Sequence, residues 1–300
     1  MAKLIPSDNI SRAWLQSMRY LEKHGGETTN LFVCIETPAY ECLAVRERLD
    51  KFLLRAPYGL SVEKTASTIF PSEFYLPDRL GAGAQDHLYS THIKVRKFEE
   101  RFNRRGSYFD RMVRWPGQGR TVNQLQEKIS HYRNEVARNV GTANCFEIGV
   151  SDPDEDAEYV EGEDIRIYKP GVDNSIMSFP CLSHVSISLC KHKLHMTAVY
   201  RNQYFIQKAY GNYLGLLRLL NFLATEIGVE MGELVCVATH ANDEVHSKGC
   251  GKRVTQELLE ECESLVEEAP STPINMRRVP EPPGEVVAPL AAKHKLLRSG

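Results

Sequence analysis

The stretch SFPCLSHVSISL, residues 178–189, places a cysteine directly before an alternating, strand-like run. A cysteine displayed at the end of a strand can act as a nucleophile, because its thiolate forms covalent bonds with electron-poor carbons. A free cysteine is also one of the residue types most often buried as a small hydrophobe. The residue type alone therefore leaves two readings of Cys181 open, a nucleophile at the mouth of a sheet or a structural core residue.

An arginine and an asparagine follow Cys181 in the sequence. Arg201 lies 20 residues after Cys181, and Asn212 lies 31 residues after it. A guanidinium beside a thiol favours the thiolate, and an asparagine amide can both donate and accept hydrogen bonds. Each residue also has a structural interpretation, since an arginine can form an ion pair and an asparagine after Gly211 can be a turn residue.

Apolar periodicity predicts the elements around these residues. The runs HVSISL and LHMTAVY alternate and flank CKHK, which predicts a β-hairpin. NYLGLLRLLNFLATEIG is apolar nearly all round and predicts a buried central helix, and ELVCVATHA predicts another strand. A structural zinc site needs four converging ligands, so His192 and His195 of the hairpin are interpreted as turn residues and no metal is expected.

The rest of the chain mixes helical and extended patterns. A helix is predicted after an N-cap at Ser11 and ends at Gly25–Gly26. Strands are predicted for NLFVCIETP and NCFEIGV, and KTASTIFPSEFYLP is predicted to be mostly extended. Further helices are predicted for AYECLAVRERLDKFLLRA, TVNQLQEKISHYRNEVARN and GKRVTQELLEECESLVEEA. Strands and helices do not alternate strictly, which favours an α+β or mixed layered fold over a doubly wound parallel sheet.

The order of these elements resembles the thymidylate synthase family. That family has a proline–cysteine before a hairpin, an arginine at a strand end, an asparagine turn, a core helix and a histidine segment, here FPC, YRNQYF, AYGN and THAN. The spacings of 20 and 31 residues after Cys181 equal those of the family. GSYFDRMVRWP, residues 106–116, and the following NQLQEKI resemble two further family segments, and IFPSEFY matches weakly around Glu73.

The resemblance implies a fold, a chemistry and a set of site residues. The fold would be α+β, with a large mixed, bent β-sheet covered by helices. Cys181 would add to C6 of a pyrimidine, which makes C5 nucleophilic enough to take a methyl or hydroxymethyl group from 5,10-methylenetetrahydrofolate. Glu73 would be the acid/base relay. The residues that would bind the pyrimidine nucleoside or nucleotide are Arg201, Asn212, Tyr108, Asn202, His240 and Asn242.

The sequence also departs from the family pattern. The family has two consecutive arginines that reach the substrate phosphate of the dimer partner, whereas the corresponding strand here reads GTANCFEIGV. Leu182 replaces the histidine after the nucleophile, and the terminal HKLLRSG does not match the folate-binding tail. The loss of two arginine side chains, each able to form two parallel hydrogen bonds with a phosphate, weakens phosphate recognition. We therefore expect a diverged relative rather than an ordinary thymidylate synthase, and a non-catalytic nucleotide-binding or assembly protein on the same scaffold is the alternative.

Composition narrows the choice of partners. The formal net charge is -2, which does not favour a general nucleic-acid or anionic-membrane binder, although residues 92–117 mix basic and aromatic side chains. No stretch approaches a membrane span, and the start has no apolar signal region. The eight cysteines are scattered and are expected to be reduced. A cytoplasmic protein is therefore expected.

Residues 1–269 are predicted to form one domain, with a divergent N-terminal half in residues 1–105 and the strongest resemblance in residues 106–245. Residues 270–300 form a proline-rich tail, and residues 152–164 form an acidic loop. The family resemblance also implies a homodimer, built by packing two sheets back to back.

Overall fold

A computed structural model describes residues 2–55, 58–99, 107–116, 120–138, 164–167, 180–245, 251–274 and 276. The strands are β1 (Lys3–Ser7), β2 (Glu27–Ile35), β3 (Tyr40–Glu41), β4 (Trp115–Pro116), β5 (Thr121–Val122), β6 (Asp164–Arg166), β7 (Leu182–Cys190), β8 (Lys193–Tyr200), β9 (Gln203–Tyr204), β10 (Glu230–Asn242) and β11 (Thr272–Pro273). The helices are α1 (Ile10–Lys23), α2 (Leu43–Leu53), α3 (Val62–Ser67), α4 (Pro77–Leu80), α5 (Ala84–Glu99), α6 (Tyr108–Val113), α7 (Gln124–Arg138), α8 (Tyr210–Ile227) and α9 (Lys252–Glu268).

Seven of the strands form one mixed sheet in the order β1-β2-β10-β8-β7-β6, and β9 pairs with β10. The pairs β1·β2, β8·β10 and β9·β10 are parallel. The pairs β2·β10, β7·β8 and β6·β7 are antiparallel. Helices cover one face of this sheet, so the predicted α+β class with a mixed, helix-covered sheet is confirmed.

The predicted hairpin around CKHK is present as β7 and β8. Its two turn residues, Lys191 and His192, have φ values of 50° and 64°. Two consecutive residues with positive φ are the mark of the tight turn whose twist matches that of paired strands. The turn brings the start of β7 beside the end of β8, because Leu182 pairs with Tyr200.

Helix α8 is the core of the molecule, as its apolar sequence predicts. Its buried residues run from Tyr210 to Ile227 and include residues on every side of the helix. Helix α3 lies against its first turns at close range. A Cβ atom added at Gly215 would stand 2.6 Å from the carbonyl oxygen of Ala66, so the approach of the two helices depends on the missing side chain.

Two local predictions in the N-terminal half are wrong. Residues 64–77 are not mostly extended, because Ser61 caps α3 by accepting a hydrogen bond from the Lys64 N–H at 3.0 Å. The cap of α1 is Asn9 rather than Ser11, and its side chain accepts from the Arg12 N–H at 3.0 Å. Ser11 instead lies inside the protein, where it contacts Tyr210.

The start of the C-terminal tail joins the fold, because β11 pairs with β3 and the Ile274 N–H donates to the Ala39 carbonyl at 2.8 Å. The predicted NCFEIGV strand, nearly all of the acidic loop and residues 277–300 lie outside the described residues. Among the helices that the structure describes, none is long and apolar enough to cross a membrane.

Candidate active site

Cys181 and Arg201 are held together by the backbone. The Arg201 N–H donates to the Cys181 carbonyl oxygen at 2.8 Å. This bond extends the β7·β8 ladder by one step beyond the pair of Leu182 with Tyr200. The spacing of 20 residues is therefore the length of a hairpin that returns the chain to Cys181. The cysteine itself is partly buried, at the point where β7 begins.

Burial and two cations act in opposite directions on the Cys181 thiol. Burial raises its pKa, whereas the nearby Lys208 and Arg201 lower it, and the net direction is upward. A thiol must lose its proton before its sulfur can act as a nucleophile, so burial at this position opposes such a role and the two cations favour it. The sequence did not predict Lys208, which lies in the segment between Arg201 and Asn212 where the chain turns back toward Cys181.

Tyr108 lies beside Cys181. Its phenol oxygen accepts hydrogen bonds from the backbone N–H groups of Leu182 and Cys181, and burial raises its pKa to about 12. The helix that carries Tyr108 is fixed from two sides. Ser107 caps it by accepting from the Asp110 N–H at 3.1 Å, and the buried Arg111 donates to the carbonyl of Ile167 at 3.0 Å.

Asn202 and His240 contact each other. The Nδ1 atom of His240 lies 2.9 Å from Oδ1 of Asn202. The other ring nitrogen lies 3.4 Å from a carboxylate oxygen of Glu27. Asn202 and His240 therefore connect the residues after β8 to β10 and, through Glu27, to β2. The His240 side chain is 42% exposed.

Asn242 ends β10 by a local turn. Its Oδ1 accepts the Glu244 N–H at 2.6 Å, and Glu244 has a φ of 64°. Glu244 is fully buried, and its Oε2 accepts the Gln207 N–H at 3.0 Å. Asn242 thus positions a carboxylate that holds the segment carrying Lys208. No sequence motif pointed to Glu244.

A π-helix, Phe205–Ala209, leads from β9 into α8. The indole N–H of Trp14 donates to the Phe205 carbonyl at 2.8 Å, and Glu244 holds the same segment from the other side. π-turns are rare and recur at functional sites. This one sets the direction in which α8 begins, and Asn212 lies in the first turn of that helix.

Asn212 is 5% exposed, and no described residue forms a hydrogen bond with its side chain. The first turn of α8, which carries Asn212, is held in place by a buried cluster of Glu41, Tyr210, Ser11 and Arg46. The sequence did not predict this cluster. The Tyr210 hydroxyl donates to Glu41 at 3.0 Å and lies 2.8 Å from the Ser11 hydroxyl. Glu41 also pairs with Arg46 at 3.2 Å, and burial raises the pKa of Glu41.

Glu73 lies on a short 3-10 helix, Ser72–Phe74, and is partly buried. The segment before it packs against the helix that carries Tyr108, with the rings of Phe70 and Phe109 5.8 Å apart. Tyr75, after it, donates to Glu226 at 2.6 Å. This hydrogen bond anchors the segment near the last turn of α8. The role of Glu73 as an acid/base relay for Cys181 stays a prediction.

The comparisons with known proteins agree with part of this picture. No family model matches the chain. A protein from Methanosarcina mazei described as "Putative thymidylate synthase" is 30% identical over 73 residues, which is 24% of this chain and 34% of that protein. The chain therefore matches about a third of the length of that relative. The match supports a distant thymidylate synthase-like relationship.

Proposed function

We propose that the chain is a diverged thymidylate synthase-like protein that binds a pyrimidine nucleoside or nucleotide beside Cys181 and transfers a one-carbon group to its C5. The observation that carries this proposal is the junction of β7 and β8. There a cysteine, an arginine and a tyrosine are held together by backbone hydrogen bonds, with Lys208 close enough to act on the thiol. The partial match to a thymidylate synthase supports the same class of chemistry.

The chain's own residues supply the first step. Cys181 loses its proton, and the sulfur forms a bond to C6 of the pyrimidine. The electron pair of the C5–C6 double bond moves toward the C4 substituent, so that C5 becomes nucleophilic. Arg201 and Lys208 stabilise the thiolate before it attacks. C5 then takes up an electrophile, a proton from water in the exchange reaction or the one-carbon unit in the transfer. Loss of the original C5 proton to a base re-forms the enolate, whose electrons restore the C5–C6 double bond as the C6–S bond breaks and the sulfur leaves as a thiolate.

The one-carbon donor rests on the resemblance alone. In that family, 5,10-methylenetetrahydrofolate supplies the carbon at C5. The last residues here, HKLLRSG, do not match the folate-binding tail of the family and lie outside the described residues. Proton exchange at C5 needs only the thiol and its neighbours, so it tests Cys181 without any assumption about the donor.

The experiment is release of tritium from C5-labelled pyrimidines, with and without methylenetetrahydrofolate. The panel holds uracil and cytosine nucleosides and their monophosphates, both ribo and deoxy. We expect release with at least one of them, and loss of release in Cys181→Ala. Cys262→Ala is the matched control, since Cys262 is a fully buried cysteine on α9. No release from any member of the panel by a folded wild-type protein would contradict the enzymatic proposal.

A non-catalytic nucleotide-binding protein is the second candidate, and the state of the thiol favours it. Burial outweighs both cations in its effect on the pKa of Cys181. The paired arginines of the family are also missing from GTANCFEIGV. This candidate predicts that a pyrimidine nucleotide raises the melting temperature of the protein while no tritium is released.

We also propose a homodimer that forms through the partly buried face of the sheet. The outer face is defined here by six partly buried residues in two rows across the strands, namely Phe32, Val237 and Val199, then Cys34, Val235 and Thr197. The neighbouring residues of the same strands, such as Leu31 and Cys236, point to the helices and are fully buried. A largely apolar and uncharged patch of this kind suits a second copy of the same chain.

A further inference from the structure

Gln203 is a buried amide whose side chain has no hydrogen-bond partner among the residues that the structure describes. It is 2% exposed, and this holds for both its Nε2 and its Oε1 atom. Its backbone pairs with Ala241 in the ladder of β9 and β10, which fixes the direction of the side chain. Nearly every buried polar atom in a folded protein is paired, so two unpaired atoms on one side chain need an explanation.

The same short segment holds two more such groups. Among the described residues, the Nε2 atom of Gln207 is buried without a hydrogen-bond partner, and Gln207 is 7% exposed. The hydroxyl of Tyr200 likewise has no partner in the described part of the chain, and Tyr200 is fully buried close to Tyr108 and Cys181. These three polar residues lie within eight residues of chain. Arg201, whose backbone is bonded to Cys181, lies between Tyr200 and Gln203 in the sequence.

A buried polar group without a hydrogen bond lowers the stability of the ligand-free protein. A buried amide with no partner loses its hydrogen bonds to water and gains none, whereas an apolar residue of the same shape would avoid that cost. Functional sites are the places where proteins tolerate such local costs, because a ligand supplies the missing partners when it binds.

We propose that Gln203 is a specificity-determining residue whose amide hydrogen-bonds to the pyrimidine ligand beside Cys181, with Gln207 and Tyr200 contributing to the same polar pocket. This inference rests on the proposed function. A glutamine amide offers one acceptor and one donor group, which complements a ligand that carries both, as the edges of uracil and cytosine do. Gln203 lies two residues before the π-helix and Gln207 lies within it, so the backbone of this turn sets the direction of both side chains.

The test is thermal unfolding of Gln203→Met, with and without the pyrimidine nucleosides and monophosphates. Methionine is close to glutamine in size and has no strong hydrogen-bonding atom. We expect the free variant to melt at least about 2 °C above wild type, because an unpaired amide has been removed. We also expect nucleotide affinity to fall about tenfold, the loss of one hydrogen bond to the ligand. Gln16→Met on the exposed surface of α1 is the matched control.

The outcomes separate this inference from the function on which it rests. A higher melting temperature with weaker nucleotide binding supports it. If the variant melts lower or fails to fold, the amide is structural and the inference is overturned. If wild type and Gln203→Met bind the same nucleotide equally well, the inference fails while the proposed function stands. If no member of the panel binds wild type, the proposed function fails, and the ligand assigned to Gln203 fails with it.

Discussion

At the scale of single residues, the thiol of Cys181 is controlled by its neighbours. Burial raises its pKa, and Lys208 is the larger of the two cationic influences that lower it. We predict that Lys208→Met raises this pKa further and slows alkylation of Cys181 at pH 8 about threefold, as expected for the loss of one nearby charge. Mass spectrometry of the Cys181 peptide measures the rate separately from the other cysteines. Lys64→Met, an exposed lysine on α3, is the control, and an unchanged rate in Lys208→Met would contradict the assignment.

The raised pKa of Cys181 also determines how hydrogen exchange at C5 of a bound pyrimidine would depend on pH. Because the pKa of Cys181 lies above its ordinary value, the thiolate fraction at pH 7 is small and grows as pH rises. We predict that the rate of tritium release increases continuously from pH 7 to about pH 9, and that the rising limb moves to higher pH in Lys208→Met. A rate that is constant over this interval would show that loss of the thiol proton does not limit the reaction.

At the scale of elements, the contact of α3 with α8 decides where the first turns of α8 lie. A Cβ at Gly215 would meet the carbonyl oxygen of Ala66 at 2.6 Å, a backbone atom that cannot rotate away. We predict that Gly215→Ala lowers the free energy of unfolding by about 1–3 kcal/mol, the usual cost of overpacking. Gly83→Ala, where no atom lies within 4 Å, is the matched control in urea unfolding. Equal stability of the two variants would mean that α3 moves away freely.

The buried cluster under the start of α8 gives a second prediction at this scale. Glu41 is 2% exposed and pairs with the buried Arg46. Glu41→Gln keeps a group that can accept from Tyr210 but leaves the guanidinium without its counter-charge. We predict a loss of about 3 kcal/mol in urea unfolding, and the double variant Glu41→Gln/Arg46→Met should recover most of it. A double variant as unstable as the sum of both changes would show that the pair does not interact.

These elements also show what the sequence could reveal. The hairpin and α8 were predictable, because alternation and a continuous apolar run are properties of neighbouring residues. The helix α3 was missed, because the threonines of residues 64–77 and the prolines that follow the helix suggested extended chain, while α3 packs closely on α8. Glu41 and Tyr210 are 169 residues apart, and Lys208 lies close to Cys181 only after the chain has folded. Such contacts leave no local pattern. Arg201 was identified through the family resemblance, and the length of the hairpin explains why it returns to Cys181.

At the scale of the whole molecule, the sheet has one face covered by helices and one outer face that is only partly buried. If two copies pack through that face, a charge at its centre must be buried without a partner, at a cost of several kcal/mol. Val235 lies at the centre, between Cys34 and Thr197. We predict that wild type has twice the mass of one chain in light scattering at micromolar concentration, and that Val235→Glu has the mass of one. Val254→Glu makes the same substitution at an exposed valine of α9 and should remain a dimer. A monomeric wild type, or a dimeric Val235→Glu, would place any self-association elsewhere on the molecule.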